Sequence, residues 1–216
     1  MSNQASKIRL IMELRRSGIT DTRVLAAIER IPREEFMLPT FRDQAYENLA
    51  LPIGHGQTIS QPYVVAMMSQ ALDVQEKMKV LEVGTGSGYQ AAVLSRLCRR
   101  LYTIERYQPL AEEAETRLHR LRCSNVVFRV ADGTKGWKEQ APFDRILVTA
   151  ASRDVPTPLL EQLAPGGIMV LPIGPDPLHQ NIERIVKTDD GLKREQILPV
   201  RFVPLVPGAL PNAQDF

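Results

Sequence analysis

The stretch VLEVGTGSGYQAA, residues 80–92, decides the fold. Its apolar run ends at Val83, glycines follow at positions 84, 86 and 88, and a helical pattern begins at Tyr89. Glycine lets the backbone turn sharply and approach a ligand closely, and the amino terminus of a helix presents free N–H groups. We therefore expect a buried strand, a glycine loop that binds a polar or anionic ligand, and a helix.

Strand and helix patterns alternate around this stretch. Apolar runs typical of buried strands occupy residues 79–84, 100–105, 126–132, 145–151 and 166–174. Helical patterns lie between them at 89–97 and 109–121. Buried strands joined by helices favour a parallel sheet with right-handed crossovers. We expect an α/β fold with a doubly wound, Rossmann-like, mostly parallel sheet and helices on both faces.

The whole chain, 1–216, is expected to form one domain with three zones and a tail. Residues 1–76 predict an N-terminal cap of helices and loops, and 77–175 predict the sheet core that binds the ligand. Residues 176–208 predict a C-terminal extension of two short strands, or three, that pair antiparallel. Residues 209–216 are polar and contain proline, which is typical of a flexible tail.

Local signals place the elements of the cap. Asp21 is suited to cap a helix that follows it. The stretch LPIGHGQTISQP, 51–62, is rich in Gly, Pro and hydroxyls and predicts a loop. An amphipathic helix is expected from Pro62 to Leu72. Ser60, two residues before a first-turn proline, is typical of an N-cap.

Composition excludes several classes of partner. Lys plus Arg is 27 and Asp plus Glu is 25, so the net charge of +2 does not favour a nucleic acid. No apolar run reaches the ~20 residues that span a bilayer, and MSNQASKIRL does not resemble a secretory signal. The two cysteines and three histidines form no metal-ligand cluster. We expect a cytoplasmic monomer without a metal, bound to neither nucleic acid nor membrane.

Two acids end strand-type runs, and the carboxyl ends of parallel strands meet at one edge of a sheet. Glu105 comes 21 positions after Gly84, close to the ~20 typical of an acid that binds ribose hydroxyls. At Asp132, a carboxylate could accept from the amine of adenine, and Gly133 would leave room for the ring. At Glu105 the alternative is an acid that caps or pairs on the surface. At Asp132 and Gly133 the alternative is a plain Asp-Gly turn. We expect an adenosine site at this edge.

These features resemble the successive motifs of class I S-adenosylmethionine methyltransferases. The resemblance includes the segment LLEQLAPGGIMVLPIG (159–174). The segment LALPIGHGQTISQPYVVAMM (49–68) is similar to the loop and helix specific to the bacterial type of protein-L-isoaspartate O-methyltransferases. VLAAIERIPREEFM (24–37) and VRFVPLVPG (200–208) fit that family as well, so the resemblance covers about residues 5–208.

The resemblance implies a reaction. The family transfers a methyl group from S-adenosylmethionine to the free α-carboxylate of L-isoaspartyl residues in damaged peptides and proteins. The product S-adenosylhomocysteine leaves, and the methyl ester closes to a succinimide that begins repair. Since a carboxylate with a pKa near ~4 is ionised at neutral pH, the acceptor needs no general base. The lack of Lys and Arg in 54–62 is consistent with this chemistry.

The resemblance also implies roles for particular residues. Ser60 matches the active-site serine, between the methyl group and the acceptor carboxylate. The acceptor is expected to contact Gln57, Thr58, Ile59 and Ser60. The cofactor is expected to contact Ile59, Ser60, Glu82, Gly84, Thr85, Gly86, Ser87, Gly88, Glu105, Arg106, Asp132 and Gly133.

Glu82 is unusual because it lies inside a buried run, where a charge requires partners. It could orient the glycine loop, or hold the ammonium group of the cofactor's methionine part through water. A purely structural hydrogen bond to N–H groups of the loop is the alternative.

Other classes of protein share parts of this pattern. An NAD-dependent oxidoreductase would carry Gly-x-Gly-x-x-Gly, but Tyr89 stands where the third glycine is required. Methyltransferases that act on RNA, DNA or small molecules share the core. However, VTAAS (148–152) stands where DNA-type enzymes carry Asn-Pro-Pro-aromatic. A binding module without enzymatic activity would leave the adenosine-type residues without a purpose.

Overall fold

The computed structural model describes residues 3–210, which form a seven-stranded sheet, a two-stranded sheet and six α-helices. The helices are α1 (Asn3–Arg16), α2 (Thr22–Arg30), α3 (Pro62–Leu72), α4 (Tyr89–Ser95), α5 (Gln108–Arg120) and α6 (Thr157–Gln162). The strands are β1 (Leu51–Gly54), β2 (Gln57–Ile59), β3 (Lys79–Val83), β4 (Arg100–Glu105), β5 (Val126–Val130), β6 (Phe143–Val148), β7 (Leu163–Ile173), β8 (Gln180–Thr188) and β9 (Gly191–Val200). None of the described helices is long and apolar enough to cross a bilayer.

The large sheet has the strand order β5-β4-β3-β6-β7-β8-β9. The pairs from β5 to β7 are parallel, and β7, β8 and β9 pair antiparallel. Along β3, Val80 packs into one hydrophobic cluster, whereas Leu81 and Val83 pack into a second. Because both faces are covered, the parallel strands carry continuous apolar runs. The predicted doubly wound fold and its antiparallel C-terminal extension are confirmed.

The predicted strands form, although several ends differ. β5 and β6 end two and three residues early, at Val130 and Val148. β6 begins two residues before its predicted start because Phe143 pairs with Leu163. The same pairing makes β7 begin at Leu163, before its predicted start. The C-terminal strands were expected to be short, but β8 and β9 have 9 and 10 residues. Their length follows from pairing along the whole of β8.

The helices of the cap agree with the sequence signals. Asp21 caps α2, and its side chain accepts hydrogen bonds from the backbone N–H groups of Arg23 and Val24. The α2 residues that face inward, including Val24 and Ile28, are buried. α3 has the predicted bounds and begins with Pro62 in its first turn.

Two predictions about residues 51–62 are wrong. Residues 51–59 form an antiparallel hairpin of β1 and β2 rather than a loop. Alternate residues such as Leu51 and Ile53 are buried, and the turn uses positive φ angles at Gly54 and Gly56. The N-cap of α3 is Gln61, without a side-chain cap bond, so Ser60 is not the cap.

The first turn of α3 is capped by Asn48 instead of by a residue next to the helix. Its Oδ1 atom accepts a hydrogen bond of 2.9 Å from the backbone N–H of Tyr63, in the first turn. The helix is therefore capped from a residue 15 positions away in the chain, and the Ser60 hydroxyl is not used for this purpose.

The beginning of the C-terminal tail is attached to the sheet. Leu210 donates to the carbonyl of Arg106 over 2.6 Å, and Gln108 donates to the carbonyl of Leu210 over 3.2 Å. The rest of the predicted flexible tail, 211–216, lies outside the described residues. The division of the chain into three zones stays a prediction.

The packing of Gly88 gives a test of the fold. Gly88 has a φ of +89°, and a Cβ there would lie 2.6 Å from Leu118 Cδ1 and 3.1 Å from Ala114 Cβ. Gly88→Ala should lower the free energy of unfolding by about 2–4 kcal/mol, from backbone strain and overpacking together. The control Gly18→Ala has a similar φ of +95° but open space, so it should lose only about 1–2 kcal/mol. Equal losses in urea denaturation would contradict this packing of α4 on α5.

Candidate functional site

A cleft of about 290 Å³ lies over the carboxyl ends of β3, β4 and β6. The hairpin and a C-terminal segment enclose it from above. Of the residues predicted from sequence, the cleft brings together Gln57, Thr58, Ile59, Ser60, Gly84, Thr85, Gly86, Ser87, Glu105, Arg106 and Gly133. Glu82, Gly88 and Asp132 do not line it.

The glycine loop is held tightly between β6 and the hairpin. Gly84 has a φ of +95°, and a Cβ there would lie 2.3 Å from the hydroxyl of Thr149. That hydroxyl donates to the carbonyl of Gly84 over 2.6 Å. On the other side, a Cβ on Gly86 would lie 3.6 Å from Ile53 in β1. Glycine at position 84 therefore lets the loop backbone pack directly against Thr149, which a residue with a side chain would not allow.

Glu105 joins the glycine loop to the end of β4. Its Oε2 atom accepts a hydrogen bond of 2.8 Å from the N–H of Gly86. Its Oε1 atom accepts from the N–H groups of Arg106 and Tyr107 at 2.8 and 3.1 Å. Glu105 is buried in the cleft wall, so the alternative of a surface acid is wrong. Each carboxylate oxygen has two lone pairs, so Oε1 is fully used and Oε2 has one acceptor position left for a ligand hydroxyl.

Glu82 lies beneath the loop and is fully buried. Its Oε2 atom accepts a hydrogen bond of 2.5 Å from the hydroxyl of Thr103, which lies 2.6 Å from the hydroxyl of Thr85 in the loop. Its other oxygen has no partner among the described residues. Burial raises the pKa of Glu82 to about 8, although the Thr103 bond opposes the shift and the charge of Glu105 adds to it. Glu82 thus reaches the loop through hydroxyls, not through loop N–H groups.

Asp132 caps the short turn that follows β5. It accepts hydrogen bonds of 2.9 and 2.7 Å from the N–H and hydroxyl of Thr134. Partial burial raises its pKa, but the bonds from Thr134, the N–H of Gly208 and the charge of Lys135 outweigh this effect, so the pKa lies below its ordinary value. Only Gly133 of this pair lines the cleft. A Cβ there would lie 2.5 Å from Val83 Cγ1, so glycine keeps this wall open.

The hairpin supplies the opposite wall of the cleft. Gln57 donates to the carbonyl of His55 over 3.1 Å, which tightens the turn. The His55 ring stacks on Tyr107 with a centroid distance of 6.1 Å, so the hairpin tip contacts the end of β4. Ser60 is half-buried in the cleft, and its hydroxyl makes no hydrogen bond with another described residue. That hydroxyl is available to a ligand.

Several residues of the cleft were not predicted from sequence. The segment 203–206 crosses the edge of the sheet, where Ala151 donates to Val203 over 2.8 Å and Leu205 donates to Ala151 over 2.7 Å. Residues 203–206 lie within the segment 200–208 that resembles the family, but their apolar side chains carry no chemical signal for a site. The remaining cleft residues that sequence reasoning missed are Gly56, Val65, Met68, Val83, Tyr89, Gln90, Ile104, Tyr107, Thr149 and Ala150.

Metal binding finds no support in the described part of the chain. Residues 3–210 contain no group of three or more His, Cys, Asp or Glu side chains arranged to hold an ion.

The pKa of Glu82 predicts a dependence of stability on pH. A carboxyl whose pKa is raised on folding binds more protons in the folded state, so stability falls as the pH rises from about 4.5 to about 8. Glu82→Gln removes this effect. The variant should gain stability relative to the wild type between pH 5 and pH 8.5 by more than about 1.4 kcal/mol, the value of one pKa unit. Parallel curves from urea denaturation would show that Glu82 ionises normally.

Comparison with known proteins agrees with this geometry. A sequence profile described as Protein-L-isoaspartate(D-aspartate) O-methyltransferase matches residues 5–209. A protein-L-isoaspartate O-methyltransferase from Rhodospirillum centenum is 60% identical over 214 residues, which cover 99% of this chain and 97% of the relative.

Solved structures agree as well. One protein-L-isoaspartate O-methyltransferase superposes with a TM-score of 0.81 at 31% identity, over 92% of this chain and 65% of the other. A β-aspartate methyltransferase from Plasmodium falciparum, in complex with S-adenosyl-L-homocysteine, has a TM-score of 0.79 at 24% identity and covers 92% and 97% of the two chains. At that identity the second likeness shows the fold alone. The chain belongs to the protein-L-isoaspartate(D-aspartate) O-methyltransferase family.

Proposed function

We propose that this chain transfers a methyl group from S-adenosylmethionine to the free α-carboxylate of L-isoaspartyl residues in damaged peptides and proteins. The observation that carries the proposal is that one cleft has two different walls. The glycine loop and Glu105 form the first wall, the cofactor wall, which suits a nucleoside with an amino-acid tail. The hairpin and Ser60 form the second wall, the acceptor wall, whose neutral hydrogen-bonding groups suit an acceptor.

The first wall fits S-adenosylmethionine. The glycine loop lines the cleft with Gly84, Thr85, Gly86 and Ser87, and the two glycines have no side chain to occupy the space of a ligand. Glu105 would accept from a ribose hydroxyl through Oε2, and Gly133 leaves room for the adenine ring. Thr85, Ser87 and Arg106 also line this wall, and we propose them as cofactor contacts.

Three further residues have indirect roles in this proposal. Glu82 would support Thr85 through Thr103 rather than contact the cofactor. Gly88 would act by allowing α4 to pack closely on α5. Asp132 would hold the turn that places Gly133.

The second wall fits an isoaspartyl carboxylate. This acceptor is ionised at neutral pH, so no residue has to remove a proton before the reaction. The cofactor supplies a methyl group already activated by its sulfonium centre. Ser60 would donate to one carboxylate oxygen and leave the other free to attack, while Gln57, Thr58 and Ile59 position the peptide. Alignment then supplies most of the rate, since well-oriented groups react far faster than free ones.

The charges near the cleft agree with this mechanism. Arg106 is the only Lys or Arg among the described residues of the lining, and its guanidinium lies 5.1 Å from the ring centroid of Tyr107 at the cofactor wall. A cation beside the attacking oxygen would lower its nucleophilicity. The ester product would close to a succinimide when the neighbouring peptide nitrogen attacks the ester carbonyl and methanol leaves, which needs no group from the protein.

We also propose that the protein is a cytoplasmic monomer that binds isoaspartyl peptides and not nucleic acid. Two features support a reducing compartment and a partner that is not a polyanion. Cys98 and Cys123 are buried and unpaired, as is usual where thiols stay reduced. The net charge of +2 provides no strong field for a polyanion.

The role of Ser60 can be separated from helix capping. Ser60→Ala should lower turnover on an isoaspartyl peptide at least tenfold, about 1.4 kcal/mol, because the acceptor loses a hydrogen-bond donor that orients it. Its free energy of unfolding should change by less than about 0.5 kcal/mol, since the hydroxyl has no partner in the fold. The control Asn48→Ala removes the real cap of α3 and should lose about 1 kcal/mol of stability. Full turnover in Ser60→Ala would remove Ser60 from the mechanism.

The proposed function is tested with two synthetic peptides that differ only in linkage. Incubated with methyl-labelled S-adenosylmethionine, the isoaspartyl peptide should acquire base-labile label, and the aspartyl peptide should not. The linkage shifts the carboxylate, and a misplacement of ~1 Å can cost on the order of 100-fold in rate. Equal labelling of both peptides, or labelling of RNA instead, would overturn the assignment of the acceptor.

A further inference from the structure

Arg33 is the largest fully buried side chain of the described structure, and it lies outside the cleft. Burial lowers its pKa, and the groups that oppose this shift are the phenols of Tyr89 and Tyr46 rather than a carboxylate. A buried charge without an acidic partner is costly, and an apolar side chain of similar size is often as stable or more so. A contribution to stability therefore does not explain why position 33 is an arginine.

Arg33 makes one side-chain hydrogen bond and one cation–π contact. Its guanidinium carbon lies 4.8 Å from the ring centroid of Tyr89, and its Nη2 atom donates to the carbonyl of Leu49 over 3.2 Å. Phe36, from the same short turn, packs edge-on against Tyr89 with a centroid distance of 5.5 Å. The Nε and Nη1 atoms have no partner among the described residues. The ring contact and the side-chain hydrogen bond of Arg33 therefore involve different parts of the chain.

These two contacts lie beside the two walls of the cleft. Tyr89 is the first residue of α4, follows the glycine loop directly and lines the cleft. Leu49 lies two residues before β1, at the entrance to the hairpin. Its neighbour Asn48 binds the N–H of Tyr63, just beyond the other end of the hairpin. The segment 48–49 therefore fixes both ends of the acceptor wall, and Arg33 connects it to the cofactor wall.

We propose that Arg33 is a positioning residue for methyl transfer, which sets the distance between the glycine loop and the acceptor hairpin by holding Tyr89 and Leu49 together. The inference rests on the proposed methyl transfer. A flat guanidinium can stack on an aromatic face and donate within its own plane at the same time, which the ammonium of lysine does not do. Tyr89 supplies the ring that Arg33 contacts. A dinucleotide-binding loop would have glycine at this position, and glycine has no ring.

The test compares Arg33→Met with the control Arg30→Met, which changes an exposed arginine of the same cap. Arg33→Met should keep the unfolding midpoint of the wild type or raise it, and should bind S-adenosylhomocysteine within threefold of the wild type. Its kcat on an isoaspartyl peptide should fall at least tenfold. Arg33→Lys, which keeps the charge if the methionine variant does not fold, should also lose at least fivefold in kcat. The control should match the wild type in every measurement.

A second readout does not depend on the acceptor. In the wild type, S-adenosylhomocysteine should slow hydrogen–deuterium exchange of the hairpin amides, 51–59, because Arg33 transmits order from the cofactor wall. This protection should disappear in Arg33→Met and persist in Arg30→Met. Full protection and full kcat per folded molecule in the Arg33 variants would overturn the inference. If the wild type does not label the isoaspartyl peptide, the proposed function fails, whereas loss of hairpin protection in Arg33→Met still supports the positioning role.

Discussion

The carboxylate of Glu105 is the contact on which the rest of the cleft depends. Its two oxygens accept from Gly86 in the loop and from Arg106 and Tyr107 beyond β4. These bonds fix the loop relative to the neighbouring strand, and the packing of Ile53 on Gly86 then places the hairpin. Glu105 therefore fixes the glycine loop and, through the loop, the hairpin.

The core of the fold was predictable because its signals are local. Strands buried on both faces carry continuous apolar runs, and glycines stand where the structure uses positive φ angles. The helix cap at Asp21 involves residues only two and three positions away. Glu105 and most of the glycine loop were assigned correctly to the cleft because strand order brings strand ends to one edge.

The remaining features depend on contacts between distant parts of the chain. The hairpin strands have only four and three residues, too few for their alternation to outweigh the Gly and Pro content. Ser60 resembles a cap, but Asn48 supplies that bond from elsewhere. The segment 203–206 lines the cleft only because it follows Ala151 across the sheet edge. Glu82 accepts its hydrogen bond from Thr103 in the next strand, which is 21 positions away in the chain.

The central claim is that one cleft aligns an acceptor carboxylate with the methyl group of the cofactor. A crystal structure with S-adenosylhomocysteine and an isoaspartyl peptide measures this alignment directly. We expect the ribose hydroxyls on Glu105 and the isoaspartyl α-carboxylate on Ser60, with one carboxylate oxygen in line with the sulfur across the space of a methyl group. A peptide carboxylate bound away from Ser60, or a nucleoside that does not contact Glu105, would contradict the account.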